Sequence, residues 1–257
     1  MTARPLAADV AKLMTRKFAP LLLAVLAFAG CGREVPTLER ASTVATWAAP
    51  TPTTEAPVPV FTVAHVTGRS IPVFATAGAL TPIRTLSNPN ENGAPRVFQV
   101  TAQQTDWLEV KVPVRPNGTR GWIRASDVTL TQHSWRATVE LAAHRLTVWN
   151  GREVFLQQSV AVGTGGTPTP TGDYYLTELL RPDNPNGAYG PFAFGLSAYS
   201  EVLTSFAGGP GQVGLHGTNN SGSIGRSVSH GCIRLDNASI TKLAENVPIG
   251  TPITIVA

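Results

Sequence analysis

From about residue 61 the hydrophobic period becomes two, and mainly β structure is the expectation. Val97–Val100, Trp107–Val112 and Arg120–Ile123 read as short strands, with Asn117-Gly118 as a tight hairpin turn. A second such region starts at Trp135. Thr138–Leu141 and Leu146–Trp149 are strand-like, and Asn150-Gly151 turns the chain back into Val154–Leu156. Thr167-Pro168-Thr169-Pro170-Thr171-Gly172 is too rich in proline for a paired strand and reads as an ordered loop. Residues 181–211, with many Pro and Gly, read as a long loop, of a size that usually indicates function. One helix is predicted. Asp236 or Asn237 is its N-cap, Ile240, Leu243, Ala244 and Val247 share one face, and Pro248 stops it. Ile253–Val256 closes the chain as a strand.

The first 60 residues follow other rules. Arg16-Lys17 precede an apolar run from Phe18 to Ala29 that is too short for a permanent bilayer-spanning helix and has the layout of a secretory signal. Initiation at Met14 would give a shorter leader. Phe28-Ala29-Gly30-Cys31 resembles the lipobox of bacterial lipoproteins, with Phe where Leu is usual, and implies lipidation of Cys31 after cleavage. The alternative is a plain cleaved signal. Residues 32–60 are rich in Ala, Thr and Pro and cannot repay their ordering entropy. The expected organisation is a signal peptide over 1–30, a disordered tether over 31–60, one β domain over 61–131 and another over 135–257.

Charge and cysteine count narrow the function. The formal net charge is +4, but Arg4, Lys12, Arg16 and Lys17 all precede residue 31. Residues 135–257 carry 7 Lys and Arg against 8 Asp and Glu, which leaves no basic stripe for a phosphate backbone and argues against nucleic-acid binding. The chain has two cysteines, Cys31 and Cys232. If Cys31 carries lipid, Cys232 is a lone thiol in an oxidising compartment, where unpaired thiols usually need a reason to exist. A Cys31–Cys232 disulfide is the poorer account.

Candidate chemistry is concentrated in His216-Gly217-Thr218-Asn219, Ile224-Gly225 and Ser229-His230-Gly231-Cys232-Ile233-Arg234-Leu235. A cysteine attacks carbonyls as its thiolate and needs an imidazole or another positive partner to populate that form. His216 is placed to receive the proton. Gly231, without a Cβ, lets backbone N–H groups approach an oxyanion, and Arg234 suits a substrate carboxylate. A zinc site from His216, His230 and Cys232 lacks an acidic ligand nearby. His230 is equally well read as structural.

His-Gly-Thr followed after a gap by Ser-His-Gly-Cys-Ile-Arg resembles the signature of the bacterial L,D-transpeptidase catalytic domain, and the Thr-Pro-Thr-Pro-Thr-Gly and Ser-Ile-Gly segments are similar too. The resemblance implies a β-sandwich with one or two short helices over 135–257, Cys232 as nucleophile and His216 as general base, its ring oriented by the Gly217 carbonyl. The amides of Gly231 and Cys232 become the oxyanion hole, and Ser229, His230 and Arg234 shape the site and bind substrate. Tyr199, in the long loop, is expected to line the acyl-donor pocket. The implied reaction joins two peptidoglycan stem peptides at the cell wall without a cofactor, and the implied inhibitors are carbapenem β-lactams. Trp107–Lys111, the Asn-Gly turn and Gly121-Trp122-Ile123 resemble part of a bacterial SH3-like barrel. That likeness implies a wall-binding or positioning module whose removal spares turnover of small soluble stems. Water or a protein lysine as acceptor would make the same site an L,D-carboxypeptidase or a lipoprotein-attaching enzyme. A sortase shares the His, Cys, Arg order but not the adjacent His-Gly-Cys, and a papain-like wall hydrolase would place its cysteine before its histidine. A non-catalytic wall-binding lipoprotein is the rival from another class.

Overall fold

The computed structural model describes residues 56–206 and 208–257. The expected signal segment, Cys31 and most of the tether lie outside the described residues. The first part of the described chain holds β1 (Phe61–Val66), β2 (Ser70–Val73), β3 (Arg84–Ser87), β4 (Val97–Gln104), β5 (Trp107–Lys111), β6 (Arg120–Arg124) and β7 (Val128–His133). Five of these form an antiparallel sheet in the order β6-β5-β4-β1-β7, and β2 pairs with β3. Alternation is clean: in β5, Leu108 and Val110 are buried between half-buried neighbours. With Ile71, Phe98 and Ile123 they make the core of this part.

The second part holds β8 (Trp135–Glu140), β9 (Arg145–Asn150), β10 (Glu153–Ser159), β11 (Val162–Gly163), β12 (Gly172–Leu180), β13 (Ala193–Tyr199), β14 (Gln212–His216), β15 (Ser227–Ser229), β16 (Ile233–Arg234), α1 (Asn237–Asn246) and β17 (Pro252–Val256). An eight-stranded sheet runs β10-β9-β8-β17-β12-β13-β14-β16, with β17 parallel to β8 and β16 parallel to β14. The helix forms as its pattern predicts. Asp236 caps it by accepting from the Ser239 amide at 2.9 Å, and Ile240 and Leu243 are buried in the sheet's core. The fold is mainly β with one helix.

Two expectations are corrected. Residues 181–211 are not one loop, because β13 crosses the middle of that stretch, paired with β12 on one side and β14 on the other. Its five central residues are all buried, and Gly195 and Ser197, set between Phe194, Leu196 and Ala198, read as turn residues. Asn117-Gly118 does not join β5 to β6 in a two-residue hairpin. The connection runs over residues 112–119, and the Asn117 side chain is taken up by a distant partner: its Oδ1 accepts from the Tyr199 amide and its Nδ2 donates to the Tyr199 carbonyl, each at 2.8 Å.

That pairing is one of several ties across the two parts, and the described residues cluster as a single compact unit. Tyr175 of β12 is fully buried, packs with Val63 and Val97, and donates its hydroxyl to the Val97 carbonyl at 3.1 Å. Gly250, at φ +88°, lies so close that a Cβ there would meet Val63 side-chain carbons at 2.5 Å. The two parts keep separate main cores and share this small cluster of Val63, Val97 and Tyr175.

Candidate active site

The parallel pairing of β14 with β16 sets Leu215 beside Ile233 and His216 beside Arg234, which brings Gly214 opposite Cys232. The Gly214 amide donates to Cys232 Sγ at 3.4 Å. A Cβ on Gly214 would lie 3.6 Å from His216 Cδ2 and 3.8 Å from Sγ, so the thiol and the imidazole share the space that this glycine leaves open. Cys232 is a free, half-buried thiol and His216 is buried.

His216 Nδ1 lies 2.6 Å from the Gly217 carbonyl oxygen. A carbonyl only accepts, so Nδ1 carries the hydrogen and Nε2 keeps a free lone pair. Burial lowers the His216 pKa to about 4; the Gly217 carbonyl opposes the shift and the Arg234 charge adds to it. Burial raises the Cys232 pKa, against the Gly214 amide and Arg234. At neutral pH the pair is therefore a protonated thiol beside a neutral imidazole, and attack requires transfer of the thiol proton to Nε2 as the S–C bond forms. Gly217 is needed here because a Cβ would collide with Asn237 Oδ1, which accepts from the Thr218 amide at 2.9 Å at the start of α1.

The loop before Cys232 is fixed from two sides. Ser229 is fully buried, and its hydroxyl donates to the Cys232 carbonyl at 2.5 Å. The Gly231 amide, expected in the oxyanion hole, donates instead to Ser229 Oγ at 3.1 Å. The Cys232 amide makes no hydrogen bond to the described residues and remains available to an oxyanion. The Thr-Pro-Thr loop braces this turn: Thr169 Oγ1 donates to the Gly231 carbonyl at 2.9 Å, and the Thr164 amide donates to the Ser229 carbonyl at 3.0 Å. Arg234 has a buried Nε without an acceptor among the described residues, an unused donor close enough for its charge to bear on both Cys232 and His216. No group of three or more His, Cys, Asp and Glu side chains among the described residues is placed to hold a metal ion.

A cavity of about 610 Å3 opens beside the thiol, bounded by Cys232, His216, Gly214, Glu178, Asn92 and residues of the 181–192 and 200–211 connections. Tyr199 does not line it. Its hydroxyl donates to the Pro113 carbonyl at 2.9 Å, and the Arg115 guanidinium lies 5.1 Å from its ring centroid. As the last residue of β13 it faces the N-terminal part, a direction no local pattern encodes. Tyr189 is the tyrosine at the site, its ring centroid 4.8 Å from that of His216. Phe206 stacks at 5.2 Å on the exposed ring of His230 and closes the cavity on the other side. The 200–211 segment is held by Arg115, which donates to the carbonyls of Ser200 at 2.5 Å, Leu203 at 2.9 Å and Pro210 at 2.9 Å. Tyr189, Phe206 and Arg115 carry no sequence signal. Gly214 carries one, since a glycine within a strand marks close approach.

Comparison with known proteins bears on this domain. Residues 134–255 match the YkuD family model, the L,D-transpeptidase catalytic domain. Among curated relatives, YkuD of Bacillus subtilis (strain 168) is 37% identical over 121 residues, 47% of this chain and 65% of that protein. YqjB of the same organism is 34% identical over 111 residues, 38% of this chain and 57% of that protein. Both bear the name L,D-transpeptidase, and this chain spans less than two thirds of each. The solved structure of Bdellovibrio bacteriovorus Bd1075 is 28% identical, covering 48% of this chain and 47% of that one, with a TM-score of 0.38.

Proposed function

We propose that the protein is a peptidoglycan L,D-transpeptidase working through a cysteine acyl-enzyme. The observation that carries the reading is a thiol and the Cδ2 edge of an imidazole meeting over Gly214, at the wall of an open cavity, with Nδ1 of that ring engaged by the Gly217 carbonyl. Cys232 attacks the carbonyl of the third stem residue while its proton passes to His216 Nε2. The oxyanion meets the Cys232 amide, and the positive charge of Arg234 favours the terminal carboxylate. The bond to the terminal D-alanine breaks, the leaving nitrogen takes the proton from His216, and a thioester remains. An amine of a second stem attacks the thioester, giving up its proton to His216, which returns it to the departing thiol.

A carbapenem presents a strained carbonyl that acylates the same thiol. Intact mass spectra should show one adduct on the protein and none on Cys232→Ala, and His216→Ala should acylate about a hundredfold more slowly or worse. An adduct on Cys232→Ala, or a His216→Ala protein as fast as the parent, refutes this catalytic pair. The wider reading is an exported lipoprotein anchored through Cys31, with residues 61–131 an SH3-like module facing the wall. Cys31→Ala should release the protein from membranes, and unchanged membrane fractionation contradicts the anchor.

A further inference from the structure

The cavity beside Cys232 contains a buried carboxylate that the reaction above does not use. Glu178 of β12 is 1% exposed and is among the residues bounding the cavity. It pairs with Gly195 of β13, and Gly195 pairs with Gly214 of β14, whose amide reaches the thiol. Directly opposed residues of antiparallel strands face the same side of a sheet, so a row runs from carboxylate to thiol across two glycines. A Cβ on Gly195 would collide with Glu178 Oε1. The carboxylate therefore lies over Gly195, one strand away from Gly214. With strands about 4.8 Å apart, carboxylate and thiol are on the order of 8 Å from each other.

Only neutral groups satisfy this charge. Glu178 Oε2 accepts from Asn90 Nδ2 at 2.5 Å, and Oε1 accepts from Asn92 Nδ2 at 2.8 Å. The ion pairs of the described residues are Arg96–Glu91, Arg120–Glu109 and Arg145–Glu140, and Glu178 belongs to none of them. Arg181, also at the cavity, is stacked 4.7 Å from the Phe192 ring centroid. A carboxylate taken out of water with amides alone for company is costly until a cation completes it. The exposed Asn92 is the partner that an arriving cation displaces most easily.

We propose that Glu178 is the counter-ion for a primary ammonium at the end of the acyl donor's third side chain. The inference rests on the acyl-transfer reading above, and distance selects the donor over the acceptor. An acceptor amine has to come within about 3.5 Å of the thioester carbonyl. A group bound at Glu178 is too far away for that, whereas a side chain of lysine length leading from the attacked carbonyl reaches it. The ammonium replaces the Asn92 amide at Oε1 with a charge-assisted hydrogen bond.

The test is D-alanine release by the full-length protein from two tetrapeptides, one with a free amine on its third side chain and one with that amine acetylated. The protein should favour the free amine by about tenfold or more in kcat/KM, the worth of one charge-assisted bond. Glu178→Gln should remove that advantage. Acylation by a β-lactam without a cationic group reports whether the variant's site is assembled. Equal kcat/KM on the two donors, or a preference that survives in Glu178→Gln, overturns the assignment. The comparison on the unaltered protein stands even where the variant does not fold. Release from neither donor overturns the acyl-transfer reading and this inference with it, whereas equal release from both overturns this inference alone.

Discussion

The wall that carries Cys232 and His216 draws its support from loops and the helix of the second part of the chain, while the facing 200–211 segment depends on a group from the first part. On the thiol side, Ser229, Thr169, Asn237 and the Gly217 carbonyl each fix a neighbouring backbone or ring. On the facing side, Arg115 holds three carbonyls and Asn117 holds both polar backbone groups of Tyr199. Reactivity is thus set by one half of the molecule, and the shape offered to the substrate by both.

Removing residues 61–131 tests this contrast most severely. The deletion uncovers Tyr175, strips its hydroxyl of the Val97 acceptor and releases the 200–211 segment. A purified 134–257 fragment should melt about 10 °C or more below the longer protein, given the buried apolar side chains it exposes. A fragment of equal melting temperature and equal turnover would show that the halves are independent.

Arg115→Ala acts on the facing wall alone. Losing three hydrogen bonds from a charged donor should raise KM about tenfold and open residues 200–211 to proteolysis, with a smaller change in kcat. Arg115→Lys, with no fork to span three carbonyls, should restore only part of the effect. An unchanged KM, or a loss confined to kcat, would place control in the thiol wall.

The mildest test uses pH. Because the His216 pKa is depressed to about 4, its base form persists well below the ordinary histidine value of 6.5. Acylation should hold nearly level as pH falls from about 7 to about 5 and decline toward 4. The sign for stability follows from the same shift. The unfolded chain takes up the proton near pH 6.5 and the folded one does not, so the melting temperature falls between 6.5 and about 4, with no contribution above pH 6.5. A rate already halved at pH 6.5 would mean an imidazole in ordinary contact with water.

What was legible in the amino-acid order was local. The helix with its Asp236 cap, the hairpin after Asn150, turned through Gly151 and Arg152, and the cluster from His216 to Arg234 all arise from residues close in sequence, where turn chemistry and spacing act directly on the backbone. Only the tertiary structure decided the rest. It threaded β13 through a segment that reads as a loop, because Gly195, Ser197 and the Pro and Gly on either side of the strand are turn residues by type. It turned Tyr199 toward Pro113 and brought Tyr189 to His216. It set Glu178 between Asn90 and Asn92 from 88 and 86 positions away. These placements depend on partners dozens of residues distant, whose positions are set by sheet order and register, and no local pattern of side chains specifies either.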